Sequence, residues 1–130
     1  MARIIIVDDA QHTRGVLKTF LEDQGHLIRG EFEDPFNALN FVKENNSIDI
    51  IYLDYNLNCF CNNKNYTGID FLDDLQKIRR GIKVILISAH SEPKIVSEAI
   101  FHGASDFIAK PFILTEVKKR LNKMLEKYSA

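Results

Sequence analysis

Four short apolar runs, each followed by side chains that can do chemistry, constrain the fold of this 130-residue chain most strongly. The runs are Ile4–Val7 before Asp8 and Asp9, Ile48–Leu53 before Asp54, Val84–Ile87 before Ser88, and Phe107–Ala109 before Lys110. Segments with apolar residues at helical spacing separate the runs. Strands that alternate with helices predict a parallel sheet, because right-handed crossovers then place helices on both of its faces.

The whole pattern predicts five strand–helix units, which form an α/β fold with a doubly wound, five-stranded parallel sheet. The predicted strands cover residues 4–7, 27–32, 49–53, 84–87 and 107–109, and the predicted helices begin near residues 11, 35, 71, 93 and 114. We expect one domain over residues 1–127 and a short tail at 128–130.

Two segments carry more specific expectations. The fourth helix is predicted to turn Ile95, Val96, Ala99 and Ile100 inward. Residues 56–67 are polar, contain five asparagines and both cysteines of the chain, and are predicted to be an unusually long strand-to-helix loop. The two cysteines are expected to be ordinary loop residues, because a structural zinc site requires four ligands; metal binding by them is the lesser alternative.

The composition argues against several classes of function. The net charge of −1 gives no overall field that would attract nucleic acid or a membrane surface. No apolar stretch approaches the roughly 18 residues needed to span a bilayer, and the N-terminus lacks the features of a signal peptide. We therefore expect a cytoplasmic protein that binds neither nucleic acid directly nor membrane.

The polar residues that follow the apolar runs predict one site, because the carboxyl ends of parallel strands meet at the same sheet edge. Asp8, Asp9 and Asp54 would repel one another there unless a cation joined them, and Mg²⁺ suits a site of carboxylates and water. Ser88 adds a hydroxyl and Lys110 a positive charge. Such a pocket suits a phosphoryl group, with Asp54 on the central strand as the nucleophile.

An acidic pair after a strand has a simpler explanation, since carboxylates are favoured near helix N-termini. The complete set at successive strand ends favours the functional interpretation.

The same residues resemble the receiver domain of two-component response regulators, of the chemotaxis-receiver type. The motifs that carry the resemblance are Ile-Val-Asp-Asp at 6–9, Tyr-Leu-Asp at 52–54, Ile-Ser-Ala at 87–89 and Gly-Ala-Ser-Asp-Phe-Ile-Ala-Lys-Pro-Phe at 103–112. The likeness covers nearly the whole chain. It implies the flavodoxin-like strand order 2-1-3-4-5.

The resemblance also implies roles for the acidic site. Asp54 would accept phosphate from a histidine kinase or a phosphotransfer protein. Asp9, Asp54 and the backbone carbonyl of Asn56 would bind Mg²⁺ directly, and Asp8 would act mainly through water. Lys110 would contact the phosphoryl group.

Further roles follow from the same resemblance. Ser88 and Phe107 would form the switch, and the bond before Pro111 would be cis. Asn56 and His90 would tune dephosphorylation. A downstream effector protein would bind the face formed by the fourth helix, the fifth strand and the fifth helix.

Two departures from the family pattern stand out. The loop before Gly68 is about six residues longer than usual, and Asn58 replaces a common proline. The extra residues are either a tolerated surface insertion or a loop that uses Phe60 and Tyr66 to contact a partner or cover the pocket. Phe107 replaces a tyrosine found in many relatives, which predicts a switch driven by packing alone.

Two other functions remain as alternatives. One is an adaptor that keeps the receiver fold but works without phosphorylation. The other is a Mg²⁺-dependent phosphohydrolase of the haloacid-dehalogenase type. That class typically has a second acid two residues after its nucleophile, where this chain has Asn56.

Overall fold

The apolar runs form the strands of one parallel sheet in the computed structural model, which describes residues 1–128. The strands are β1 (Arg3–Val7), β2 (Leu27–Phe32), β3 (Ile50–Asp54), β4 (Asn56–Cys61), β5 (Lys64–Thr67), β6 (Lys83–Ser88) and β7 (Asp106–Ala109). The helices are α1 (Gln11–Asp23), α2 (Pro35–Glu44), α3 (Gly68–Ile78), α4 (Pro93–Phe101) and α5 (Leu114–Tyr128). Of the predicted tail at 128–130, residues 129 and 130 lie outside the described part of the chain.

The order of the main sheet is β2-β1-β3-β6-β7, and all its neighbouring strands pair in parallel. Since β6 and β7 are the predicted fourth and fifth strands, this order confirms the predicted 2-1-3-4-5 arrangement. The central strand β3 lies between β1 and β6. This arrangement places the ends of β1, β3 and β6 side by side.

Apolar side chains fill both faces of the sheet, which is why its strands read as continuous apolar runs. One core packs α2, α3 and α4 against the sheet, and a second core packs α1 and α5 against the other face. Alternate residues of the same strand enter different cores. Ile51 and Leu53 of β3 lie in the first core, whereas Ile50 and Tyr52 lie in the second.

Local signals in the sequence explain where two of the helices begin. The Asp34 side chain accepts a hydrogen bond from the Phe36 backbone N–H at 2.8 Å, and proline follows the cap. Helix α3 begins with a capping box: Asp70 accepts from the Thr67 backbone N–H at 2.9 Å, and Thr67 Oγ1 accepts from the Ile69 N–H at 3.2 Å.

The prediction of a long loop at residues 56–67 is wrong, because β4 and β5 pair there as an antiparallel hairpin. Asn62 and Asn63 form its two-residue turn with φ angles of 52° and 62°. Positive φ at both turn residues suits the twist of a hairpin, and asparagine tolerates it. The backbone N–H of Gly68 donates to the Tyr55 carbonyl at 2.7 Å, so the residues that precede and follow the hairpin lie next to each other.

The prediction for the fourth helix is wrong at one position. Ala99 is fully buried and Ile95 and Val96 pack against the core, but Ile100 is 47% exposed. Neighbouring helical residues point about 100° apart, so a helix that turns Ala99 to the core directs Ile100 away from it. Among residues 1–128, no helix is both long enough and apolar enough to cross a membrane.

Candidate functional site

Three carboxylates meet at the carboxyl edge of the sheet. Asp8 and Asp9 follow β1, and Asp54 ends the neighbouring strand β3. One oxygen from each of the three lies within 4.8 Å of the others. Asp8 and Asp54 are buried and Asp9 is partly exposed. Hard cations with oxygen ligands fit this donor set, so the residues suit Mg²⁺.

Lys110 brings a positive charge to the two buried acids. Its Nζ atom lies 3.2 Å from Asp54 Oδ2 and 3.4 Å from Asp8 Oδ2. The residue follows β7, and its backbone N–H donates to the Ser88 carbonyl at 2.7 Å, which fixes it beside the end of β6. The bond between Lys110 and Pro111 is cis.

The charge of Asp54 is only partly compensated. Burial and the neighbouring Asp8 carboxylate raise the pKa of Asp54 to about 6, although Lys110 and the Asn56 backbone N–H favour its charged form. One ammonium group therefore does not offset the negative charge of this pocket. A second cation would relieve the remaining repulsion.

The backbone at the start of α1 holds Asp8 in place. The N–H of Ala10 donates to Asp8 Oδ1 at 2.8 Å, while Asp8 Oδ2 faces Lys110. Arg14 Nη1 donates to the Asp8 carbonyl at 2.5 Å. These contacts orient the carboxylate without neutralising it directly, since Arg14 contacts its backbone oxygen.

Ser88 and Phe107 both face inward. Ser88 ends β6 beside Asp54, is 1% exposed, and its Oγ accepts a hydrogen bond from the His90 backbone N–H at 2.9 Å. Phe107 lies on β7, paired with Leu86, and is 8% exposed within the first core.

Asn56 and His90 lie together beside the acidic site. Both line a cavity of about 350 Å³ that Asn58 and Tyr66 also line. Asn56 Oδ1 accepts a hydrogen bond from the Asn58 backbone N–H at 3.2 Å. The backbone N–H of Asn56 is also hydrogen-bonded to the Asp54 carboxylate.

Sequence reasoning gave Asn58 no role of its own, yet its side-chain Nδ2 donates a hydrogen bond to Asp9 Oδ2. The Asn62–Asn63 pair between strand-forming residues is a hairpin signal that would have placed Asn58 on a strand. The contact with Asp9 could not be read from that signal, because the two residues are 49 positions apart.

The sequence of residues 4–122 matches the family described as the response regulator receiver domain. The chain belongs to this family. The match confirms the resemblance deduced from the motifs, and receiver domains are signalling phosphoacceptors that generally do not act as classical enzymes.

The most similar proteins include chemotaxis receivers. Chemotaxis protein CheY of Thermotoga maritima is 35% identical over 122 residues, covering 94% of this receiver and 96% of the relative. Chemotaxis protein CheY of Bacillus subtilis is 33% identical over 123 residues, covering 95% and 97%. The receiver thus spans nearly the whole length of these relatives.

Solved structures show the same fold. The receiver domain of NtrX from Brucella abortus has a TM-score of 0.80 at 29% identity, covering 95% of this receiver and 98% of that chain. A longer NtrX chain, of which this receiver covers only 27%, has a TM-score of 0.79. CheY in the CheX-CheY-BeF3-Mg complex of Borrelia burgdorferi has a TM-score of 0.83 at 26% identity, with coverage of 95% and 89%.

Proposed function

We propose that this receiver accepts a phosphoryl group on Asp54 from a histidine kinase or a phosphotransfer protein and thereby switches a protein-interaction surface. The observation that carries the proposal is the position of the Asp54 carboxylate. It lies 3.2 Å from Lys110 Nζ and within 4.8 Å of the Asp8 and Asp9 carboxylates.

The chemistry requires one new bond. An Asp54 carboxylate oxygen attacks phosphorus as the bond from phosphorus to the donor breaks, and the donor leaves with that electron pair. Lys110 Nζ stabilises the negative charge on the transferred phosphoryl oxygens. The product is an acyl phosphate on Asp54.

Asp9, Asp54 and the backbone carbonyl of Asn56 would hold Mg²⁺, with Asp8 acting mainly through water. When bound, the ion neutralises charge on the phosphoryl oxygens and lowers the repulsion among the acids. The raised pKa of Asp54 is consistent with this assignment, because burial and the Asp8 carboxylate disfavour the charged form and Lys110 does not fully offset them.

Ser88 and Phe107 supply the proposed switch. The Ser88 hydroxyl can donate to a phosphoryl oxygen once it moves toward Asp54, and Phe107 then fills the vacated space by rotation. The phenyl ring has no hydroxyl, so its new position depends on packing alone. Asn56 and His90 line the adjacent cavity, where they would control the access of water to the acyl phosphate.

The proposed effector surface is the face formed by α4, β7 and α5. Exposed apolar side chains support this choice: Phe101 at the end of α4 is 87% exposed, and Ile113 before α5 is 68% exposed. Contiguous exposed apolar surface often marks a protein contact, and the proposal places Phe101 and Ile113 in one such surface. Nucleic acid and membrane are not among the proposed partners, and the predicted compartment is the cytoplasm.

The complex of the Borrelia burgdorferi relative supports the proposed ligands, since it contains both BeF3 and Mg²⁺. Beryllium trifluoride resembles a phosphoryl group in shape and charge. Nuclear magnetic resonance titration with both reagents would test whether this receiver forms the equivalent complex. We expect backbone shifts around Asp54, Ser88 and Lys110 that Asp54→Asn abolishes.

The alternatives differ in their products. A phosphohydrolase would release phosphate from a phosphate ester in steady turnover, whereas a phosphoacceptor takes up at most one phosphoryl group per chain. A phosphorylation-independent adaptor would do neither. Incubation with a phosphate monoester and Mg²⁺ tests for steady release of phosphate, and incubation with acetyl phosphate and Mg²⁺ tests for phosphate bound to the protein, so the two measurements together separate the three. Steady ester turnover, or no uptake at all, would contradict the proposal.

A further inference from the structure

The hairpin β4–β5 places a side-chain amide on one of the proposed metal ligands. Asn58 Nδ2 donates to Asp9 Oδ2. Asp9 is the most exposed acid of the cluster, because Asp8 and Asp54 are buried. Asn58 therefore contacts the acidic site on the side where Asp9 is accessible to solvent.

An irregularity in the hairpin directs Asn58 toward the site. The register shifts between Asn56, which pairs with Thr67, and Cys59, which pairs with Tyr66. Within this bulge Leu57 is 2% exposed and enters the core, while Asn58 has a φ of 48° and points away. Bulges commonly re-aim a side chain in this way.

The rest of the hairpin is fixed to the frame, so Asn58 is held near Asp9. Tyr66 is 5% exposed, and its hydroxyl donates to Asp74 of α3 at 2.6 Å. The Tyr66 ring also packs against Phe36 of α2, with ring centroids 4.8 Å apart. Thr67 at the base caps helix α3. The insertion is thus an ordered structure joined to two helices.

We propose that Asn58 is a gate that competes with Mg²⁺ for the Asp9 carboxylate. The inference rests on the proposed function, since it concerns regulation of the same site. One amide N–H of Asn58 occupies a lone pair of Asp9 Oδ2, and in the proposed gate Mg²⁺ takes this same lone pair. Loading the site therefore breaks this hydrogen bond and frees the Asn58 side chain.

The gate links the acidic site to the hairpin surface. Asn58 and Phe60 are on the same strand and line one cleft of about 630 Å³ between the hairpin and the start of α2, where Asp9 also lies. Phe60 is 68% exposed. When the Asn58 side chain is released, the wall of this cleft changes beside the exposed ring of Phe60. The surface of the hairpin therefore differs between the metal-free and the Mg²⁺-bound protein.

The test compares Mg²⁺ affinities measured by isothermal titration calorimetry. Asn58→Gly removes the side-chain amide, and glycine readily adopts the positive φ of this position. Asn62→Gly is the matched control, because Asn62 also has positive φ, at 52°, but lies in the hairpin turn. We expect Asn58→Gly to bind Mg²⁺ about 3- to 10-fold more tightly than the wild type, the effect of losing one competing hydrogen bond. Asn62→Gly should leave the affinity unchanged.

An equal or weaker Mg²⁺ affinity in Asn58→Gly overturns the gate while leaving the proposed function intact. A wild-type protein that does not bind Mg²⁺ overturns both the gate and the proposed function. A second measurement needs no variant: the side-chain amide resonances of Asn58 in ¹⁵N-labelled wild type should shift on addition of MgCl₂ while those of Asn62 stay in place. Unchanged Asn58 resonances at saturating Mg²⁺ would also reject the gate.

Discussion

The ammonium group of Lys110 lies 3.2 Å from Asp54 Oδ2 and 3.4 Å from Asp8 Oδ2, so one positive charge serves two buried carboxylates. Asp9 adds a third acid within 4.8 Å of the cluster. The side chains at this sheet edge thus carry more negative than positive charge. This imbalance makes the site suitable for a divalent cation and, with it, a phosphoryl group.

Replacing Lys110 by methionine should destabilise the metal-free protein. The change keeps much of the aliphatic stem but leaves Asp8 and Asp54 without their shared cation. We expect the free energy of unfolding at pH 7.5 to fall by about 2 kcal/mol, less than for a fully buried pair because Lys110 is 23% exposed. Urea unfolding measures the loss, and saturating Mg²⁺ should reduce it. Unchanged stability without metal would contradict this account of the site.

Asp54→Asn should change how stability depends on pH. The folded carboxyl keeps its proton to about pH 6, whereas the unfolded one loses it near 3.8. Between these values the native state binds more protons, so the contribution of Asp54 to stability is lost as pH rises. The shift corresponds to at most about 3 kcal/mol. The asparagine variant should therefore be more stable than the wild type at pH 7.5 without Mg²⁺, by about 1–3 kcal/mol.

The same comparison at pH 4 supplies the control for Asp54→Asn. There the native carboxyl is protonated and resembles the amide, so the two proteins should differ little. Urea unfolding across pH 4 to 7.5 in metal-free buffer gives both values. A stability difference that does not grow between pH 4 and pH 7.5 would rule out an uncompensated charge at Asp54.

Gly68 should not tolerate alanine, because it begins α3 in close contact with the end of β3. An added Cβ would lie 2.8 Å from Leu86 Cδ1, 3.0 Å from Tyr55 Cα and 3.1 Å from the Asp54 carbonyl oxygen. We expect Gly68→Ala to lower the free energy of unfolding by about 1–3 kcal/mol.

Gly15→Ala is the matched control, because it makes the same change in helix α1, where an added Cβ meets nothing within 4 Å. It should stabilise the protein by about 0.5–1 kcal/mol. Thermal unfolding of the two variants should shift in opposite directions. Equal effects would show that the contact at Gly68 does not matter.

The strand order and the cluster of acids were predictable because they depend on patterns with a simple physical cause. Runs such as Ile4–Val7 are apolar throughout because both faces of their strands are buried. Their position in a parallel sheet then brings Asp8 and Asp54 to one edge. The exposure of Ile100 was not predictable in this way. The apolar residues of this short helix have the same spacing whether the helix is rotated with Ile100 toward the core or toward solvent.

The hairpin was hidden for a different reason. Five asparagines within residues 56–67 favour loops by composition, and the turn residues Asn62 and Asn63 became informative only when paired with the flanking strands. The hydrogen bond from Asn58 to Asp9 depends further on the bulge and on the anchoring of Tyr66 to Asp74. Tertiary contacts of this kind leave no local signal in the sequence.

Phe107→Tyr should leave phosphoryl uptake intact. Phe107 is 8% exposed within the core, and the proposed switch uses its packing rather than a hydrogen bond. The added hydroxyl alters the ring of the switch and leaves Asp54 and Lys110 unchanged, so the change affects the switch and spares the acceptor. Uptake from acetyl phosphate, measured by phosphate-affinity electrophoresis, should match the wild type. Loss of uptake would show that residue 107 takes part in the transfer itself.

The most direct test of the central claim is the intact mass of the protein after incubation with acetyl phosphate and Mg²⁺. The control is Asp49→Asn, because Asp49 precedes β3 at the opposite edge of the sheet and pairs with Arg3. We predict a gain of about 80 daltons in the wild type and in Asp49→Asn, and none in Asp54→Asn. A wild type that gains no mass, or an Asp54→Asn variant that gains as much as the wild type, would contradict phosphorylation at Asp54.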